Sequence, residues 1–205
     1  MADEAFDLST LVSSRICHDV ISPVGAIGNG LEFLQMTGNF EGEEMQLVQD
    51  SLATANARIR FLRLAFGRTR VGQTIAAREV AEVLTQLSHG GRLHHDWPFD
   101  GTLDRPALRA VLLAGMCMET ALPRGGTIAF ARPHGWTVTG TGPDVRQEPD
   151  FWTNLSRNVV SVDASPARVQ FALLPGAAKA AGLVVSVRDI DSPDGAGLCI
   201  TLAPG

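Results

Sequence analysis

Residues 13–24 read Ser-Ser-Arg-Ile-Cys-His-Asp-Val-Ile-Ser-Pro-Val, and this stretch decides how the first part of the chain folds. Apolar residues recur from it onward in steps of three and four, which marks one face of an α-helix. They are Ile16, Val20, Val24, Ile27, Leu31 and Leu34. His18 lies between Ile16 and Val20 in sequence, so helical geometry points it away from this stripe. The pattern predicts an exposed imidazole beside the carboxylate of Asp19.

Pro23 makes a functional interpretation of this segment stronger. A surface histidine on a helix usually has no chemical role, and a His-Asp pair by itself is common. A proline inside a helix removes a backbone hydrogen bond and kinks or weakens the helix. Its position directly after His18, Asp19 and Ser22 favours function over accident. We interpret His18 as a nucleophile that meets a second protein.

Two long helices joined by a short turn are predicted for the first part of the chain. The first runs from about Leu8 to Met36, with Asp7 or Ser9 as its cap. Glycine and asparagine in residues 37–42 supply the turn. The second helix carries a heptad seam, which comprises Met45, Val48, Leu52, Ala55, Ile59, Leu62 and Phe66. A short loop between long helices implies an antiparallel hairpin.

Such a hairpin alone buries too little apolar surface to be stable, so other residues must pack against its seam. Self-association of two copies into a four-helix bundle is the simplest solution. The alternative is that the second domain covers the hairpin by itself. We favour the homodimer, because Phe61 and Leu64 offer a separate apolar patch for the second domain.

The pattern changes to α/β from about Gly72. Helices are predicted over 76–87, 104–121 and 166–181, a strand over 93–99, and strand hairpins over 127–141 and 183–202. Asp104 caps its helix, with Pro106 in the first turn. The sequence thus predicts an α+β protein with a helical hairpin in residues 1–71 and an α/β sandwich in residues 72–205. Trp152 and Leu155 are candidates for an exposed apolar surface near the junction.

Composition narrows the functional class. The net charge of −5 and the pI near 5.5 argue against general nucleic-acid binding. Three scattered cysteines, Cys17, Cys117 and Cys199, form no ligand spacing and fit a reducing cytosol. The acidic start is unlike a secretory signal, and no stretch is apolar enough to span a membrane. We therefore expect a cytoplasmic protein that binds neither nucleic acid nor membrane.

The remaining polar candidates are poor. His94 and His95 are adjacent, so on a strand they point to opposite faces and cannot chelate one metal together. His89 and His134 lie in glycine-flanked loops and are expected to be solvated. An arginine run closes the second helix. It could steer an acidic partner, but we favour its interpretation as a solvated face with favourable charge at a helix C-terminus. Its members are Arg58, Arg60, Arg63, Arg68 and Arg70.

The segment from His18 to Pro23 resembles the H-box of sensor histidine kinases, whose pattern is His-Glu/Asp-x-x-Thr/Asn-Pro. The wider segment 14–32 is more similar to the histidine phosphotransferases of the ChpT type. These are bacterial phosphorelay proteins built like a histidine kinase core that has lost ATP binding. The resemblance covers the layout of the whole chain and is specific in the first helix. It also implies the dimeric four-helix bundle and an ATPase-like second domain.

The resemblance implies that the nucleotide site of the kinase fold is degenerate here. Aligning Gly125-Gly126-Thr127-Ile128 with the kinase pattern Gly-Gly-x-Ile places Leu113 and Cys117 where asparagines are required. Neither offers the oxygen ligand that Mg²⁺ prefers. Val138 then replaces the aspartate that would hold the adenine amine. We expect no cofactor and no metal bound by this chain.

The resemblance also implies a mechanism. His18 would take a phosphoryl group from a receiver-domain aspartate and return it to another receiver. Asp19 would orient His18 or accept its proton, and Ser22 would line the phosphoryl surroundings. Mg²⁺ would come from the receiver. The implied partners are the receivers of a hybrid histidine kinase (CckA-like) and of cell-cycle response regulators (CtrA-like and CpdR-like).

Two other functions stay open at the level of sequence. One is an ATP-dependent histidine kinase core whose nucleotide loops are aligned differently. The other is a non-catalytic dimeric scaffold in which His18 is incidental. Nucleotide binding separates the first alternative from the phosphotransferase, and phosphoryl transfer from a receiver separates the second.

Overall fold

The structure, a computed structural model, describes residues 7–37, 42–89, 91–161, 164–192 and 195–205. Helices α1 (Leu8–Thr37) and α2 (Glu43–Phe66) form the predicted hairpin. The Asp7 carboxylate accepts a hydrogen bond from the Ser9 backbone N–H at 2.9 Å, so Asp7 rather than Ser9 caps α1. Most of the predicted turn between the helices lies outside the described residues.

The rest of the described chain is an α/β unit, which we define as residues 74–204. Its helices are α3 (Ala77–Ser88), α4 (Arg105–Ala121), α5 (Pro149–Ser156), a 3₁₀ turn (Pro166–Arg168) and α6 (Val169–Ala180). Its strands are β1 (Thr74–Ala76), β2 (Leu93–Asp96), β3 (Thr102–Asp104), β4 (Gly126–Ala131), β5 (Trp136–Thr141), β6 (Leu183–Ser192) and β7 (Gly195–Pro204). This mixture confirms the predicted α+β class. The division after residue 71 stays a prediction.

Among the described residues, five strands form a mixed sheet in the order β2-β4-β5-β7-β6. Only the β2–β4 pair is parallel. Inward residues alternate along β5, where Trp136 and Val138 are buried. Helices α4 and α6 pack together, and both contact this sheet. The result is the predicted sandwich of helices on a sheet, in which both strand hairpins are confirmed.

Helix α4 lies at the centre of the core, and its sequence explains why. It is apolar on nearly every face, which is typical of a fully buried helix. The Asp104 carboxylate accepts from the Ala107 N–H at 2.9 Å, so the predicted cap is confirmed. Arg105 and Arg109 donate to the carbonyl oxygens of Leu64 and Ala65, at 2.5 and 3.2 Å, and so join α4 to the end of α2.

Phe61 and Leu64 pack into the same core as α4, as predicted for the patch that faces the second domain. The heptad seam of α2 alternates between two positions of the repeat, and these differ in burial. Val48, Ala55 and Leu62 are buried, whereas Leu52 and Ile59 are exposed. Two of the seven seam residues are therefore exposed in the single chain.

The predicted exposed surface at Trp152 and Leu155 is wrong. Both residues belong to α5, a short helix that the sequence analysis did not predict, and both are almost fully buried. The Trp152 ring meets the Phe171 ring edge-on, with centroids 5.2 Å apart. An indole buries a large apolar area when it packs in this way, so this segment serves the core.

Candidate functional site

His18 lies on the surface of α1, as the apolar pattern predicted. Its side chain is 84% exposed. The ring atom Nδ1 lies 3.2 Å from Oδ1 of Asp19. A carboxylate only accepts hydrogen bonds, so this contact places the ring proton on Nδ1. The Nε2 atom is then the nitrogen whose lone pair is available to a reaction partner.

Asp19 is held in place by two arginines. Its side chain is only 8% exposed, and Oδ2 accepts from Arg15 Nε at 2.9 Å and from Arg58 Nε at 3.1 Å. Burial raises the pKa of Asp19, but the positive charges of Arg58 and Arg15 and the hydrogen bonds to the carboxylate outweigh it. The pKa of Asp19 therefore lies below its usual range, and the group stays a carboxylate at neutral pH.

Arg58 connects this carboxylate to the α/β unit. Its guanidinium donates Nη1 to Oε1 and Nη2 to Oε2 of Glu119, at 3.2 and 3.1 Å. Burial opposes the charged guanidinium, but Glu119 and Asp19 raise the pKa of Arg58 above its usual value. The expectation that Arg58 belongs to a solvated face is therefore wrong. It is a two-sided ion-pair partner between α1 and α4.

Ser22 and Pro23 lie near His18 along an open cleft of about 400 Å³. Thr54 of α2 and Leu87 of α3 line the same cleft, and so does Arg92, which precedes β2. The structure therefore brings together all three predicted site residues, His18, Asp19 and Ser22. It adds two cationic groups, Arg58 and Arg92, which were not predicted as site residues.

Two further expectations concern the other histidines. His94 is exposed and His95 is buried, so they point to opposite faces as predicted, and His89 and His134 are exposed. The Ser88 hydroxyl lies 2.9 Å from His95 Nδ1 and accepts from the His95 backbone N–H. Among the residues that the structure describes, no cluster of three metal-ligating side chains occurs.

The burial of His95 predicts that the protein loses stability in acid. Burial lowers the pKa of His95 below 6.5, and the nearby Glu119 only partly opposes this. Below pH 6.5, His95 binds a proton more readily in the unfolded chain than in the folded chain. The free energy of unfolding therefore decreases as the pH falls from 6.5 through the folded pKa of His95. We expect a slope of up to ~1.4 kcal/mol per pH unit in the free energy of unfolding.

Urea unfolding of the unmodified chain and of His95→Gln between pH 7.5 and 5 measures this slope. The slope should disappear in His95→Gln and persist in His94→Gln, which changes the exposed neighbour. An identical slope in His95→Gln would assign the acid sensitivity to another group.

The positions that the kinase alignment singled out lie inside the core. Leu113, Cys117 and Val138 are fully buried. Burial also raises the pKa of the Cys117 thiol well above its usual value, which keeps it neutral. These side chains pack against neighbours and face no open cleft.

The fold and the exposed histidine define a class of protein. A helical hairpin displays His18, and an α/β unit packs against its end. Residues 77–192 match the family model described as the histidine phosphotransferase C-terminal domain. The chain belongs to the histidine phosphotransferase family, and it is a phosphotransferase.

Particular relatives agree with this assignment. The protein phosphotransferase ChpT of Brucella abortus (strain 2308) is 36% identical over 156 residues, which span 72% of this chain and 73% of that protein. The solved structure of a bacterial phosphotransferase superposes with a TM-score of 0.74 at 28% identity, over 98% of both chains. The resemblance inferred from the first helix is thereby confirmed. Within the described ranges, none of the helices combines the length and apolar character needed to cross a bilayer.

Four charged groups around His18 were not predicted as site residues, namely Arg15, Arg58, Glu119 and Arg92. Arg58 precedes Phe61 by one helical turn, and Phe61 was predicted to face the second domain. A charged residue at that spacing lies on the same helix face, so it requires a buried partner. The spacing between Arg58 and Phe61 could therefore have predicted that Arg58 is buried with a partner. Glu119 and Arg92 carry no comparable local pattern.

Proposed function

We propose that this chain carries a phosphoryl group on His18 between receiver domains of a bacterial phosphorelay. One observation supports the proposal above all. An exposed imidazole has its Nδ1 directed at a carboxylate that two arginines fix in place. The ring orientation leaves Nε2 open to an incoming phosphoryl group.

In the proposed transfer, the bond that forms at phosphorus is matched by one that breaks. The lone pair of His18 Nε2 attacks the phosphorus of a receiver phosphoaspartate, so a P–N bond forms while the P–O bond to the aspartyl carboxyl group breaks. The receiver carboxylate leaves with the bonding electrons. The ring keeps its proton on Nδ1, and the Asp19 carboxylate stabilises the positive charge that develops on the imidazole. Attack by the carboxylate of a second receiver reverses these steps and regenerates neutral His18.

The partners implied by the resemblance belong to this proposal. A CckA-like hybrid kinase receiver would donate the group, and CtrA-like and CpdR-like regulators would accept it, within the cytoplasm. The receiver would supply Mg²⁺ to neutralise phosphoryl charge, because positioning and charge neutralisation dominate such transfers. Ser22 would contact the phosphoryl surroundings from the cleft. The α/β unit would bind no ATP and would help to place the receiver.

Phosphoryl transfer from purified receivers tests the function. The chain is mixed with radiolabelled phosphorylated receivers from the same organism, and separately with labelled Mg-ATP. We expect label from a receiver that is lost in acid and stable in base, as phosphohistidine is. Label from Mg-ATP alone would favour the kinase alternative, and no label from either source would favour the scaffold.

The uncovered half of the hairpin supports the predicted homodimer. Exposed apolar side chains recur along both helices. Those that belong to the predicted apolar stripe and seam are Ile16, Val24 and Leu31 on α1, and Leu52 and Ile59 on α2. A second copy that presents the same faces would bury both sets in a four-helix bundle.

Leu52→Glu is expected to dissociate this dimer without unfolding the chain. Two symmetry-related charges would be buried in the bundle, whereas Leu52 is 51% exposed in the single chain. Sedimentation should give a dimer for the unmodified protein at micromolar concentration and a monomer for the variant. Val184→Glu changes an aliphatic residue of similar exposure, 48%, on the α/β unit and should stay dimeric. A monomeric unmodified chain would contradict the proposal.

A further inference from the structure

Arg92 presents a cation to the cleft that contains His18. It directly precedes β2, and its side chain lines the cleft with His18, Ser22 and Arg58. The residue is exposed. Its guanidinium forms no hydrogen bond or ion pair with any other group in the described part of the chain.

The backbone of Arg92 is fixed, although its side chain is unpaired. Its carbonyl oxygen accepts from the Gly126 N–H at 3.1 Å. Gly125 has a positive φ of 87°, and a Cβ atom there would lie 2.2 Å from the same oxygen. Only glycine permits this close approach. The glycine pair therefore holds Arg92 at the mouth of the cleft.

The pairing of the charged groups around His18 indicates which anion the Arg92 side chain can bind. Arg15 and Arg58 are paired with Asp19 and Glu119, so these four groups balance. A phosphoryl group on His18 adds close to two negative charges. Of the three arginines near His18, Arg92 is the one without a carboxylate partner within the described residues. Its planar fork of donors suits phosphoryl oxygens, which it can bind through two hydrogen bonds.

We propose that Arg92 binds the phosphoryl group carried by His18 and stabilises it during transfer. This inference rests on the proposed function of His18. The α/β unit thereby contributes a residue to the reaction centre. The ion pairs from Arg58 to Asp19 and Glu119 keep that unit against α1.

Single-turnover labelling tests this role. The unmodified chain, Arg92→Ala and Arg92→Lys are labelled by a phosphorylated receiver over a range of receiver concentrations. They are also labelled by phosphoramidate, a small donor that needs no protein docking. We expect Arg92→Ala to be about tenfold to a hundredfold slower with both donors, and Arg92→Lys to be intermediate. Arg124→Ala removes an arginine that is 73% exposed and should behave as the unmodified chain does.

The results separate the two proposals. Absence of label in the unmodified chain would remove the proposed function itself. An unmodified chain that is labelled, together with unchanged rates in Arg92→Ala, would overturn the role of Arg92 alone. A variant that needs more receiver but reaches the same maximal rate, with normal labelling by phosphoramidate, would also overturn it. That result would assign Arg92 to receiver docking.

Discussion

His18→Gln is expected to take up no phosphoryl group from any phosphorylated receiver. The substitution removes the nucleophile, so the loss should be on the order of a thousandfold or more. The fold should be unaffected, because the imidazole is 84% exposed and, among the residues that the structure describes, its one hydrogen bond is to Asp19. Radiolabel transfer from a phosphorylated receiver measures the loss, and circular dichroism checks the fold.

His94→Gln is the matched control for this variant. It makes the same chemical change at another exposed histidine, on β2, which the mechanism does not use. We expect full labelling of His94→Gln. Normal labelling of a folded His18→Gln would show that another residue carries the phosphoryl group, and the proposed function would then be wrong.

Much of this architecture could be predicted because local rules govern it. The three-and-four spacing from Ile16 to Leu34 fixed the first helix and the outward direction of His18. Asp104 followed by Pro106 identified the start of α4. Alternation and turn residues located both strand hairpins. In each case the decisive residues lie within a few positions of one another, so periodicity and capping suffice.

The surroundings of His18 could not be predicted in the same way. Glu119 lies 61 positions after Arg58 in the chain, and only the packing of α2 against α4 brings the two together. Likewise, Trp152 of α5 packs against Phe171 of α6, a contact between two separate helices. Such contacts leave no periodic trace in a single sequence. The exposed position of His18 could therefore be predicted from the sequence, while the charged groups around it could not.

The ion pairs link the α/β unit to the carboxylate beside His18. Asp19 orients His18, Arg58 fixes Asp19, and Glu119 fixes Arg58. Arg15 adds a second connection between α1 and the α/β unit. It donates to the Asp19 carboxylate and, at 2.7 Å, to the Ala167 carbonyl oxygen. A change in α4 can thus alter the carboxylate that contacts His18. Under the proposed function, the α/β unit would thereby influence transfer at His18.

Arg58→Ala is expected to destabilise the protein by about 3–5 kcal/mol, because it leaves two buried carboxylates without their shared partner. The side chains of Arg58, Glu119 and Asp19 are only 18%, 11% and 8% exposed. Urea unfolding gives the free energy. Arg60→Ala is the matched control on the same helix. Its ion pair with Glu82 is longer, at 3.6 Å, and more exposed, so its loss should cost less than about 1 kcal/mol.

The double variant Arg58→Met with Glu119→Met separates ion pairing from packing. Removing both charges leaves no carboxylate unpaired at position 119, so part of the lost stability should return. Transfer to His18 should be slower in the double variant than in the unmodified chain, because Arg15 is then the one arginine left on Asp19 among the described residues. Equal losses for Arg58→Ala and Arg60→Ala would contradict this account. They would mean that the link between Asp19 and Glu119 contributes no more than an ordinary surface pair.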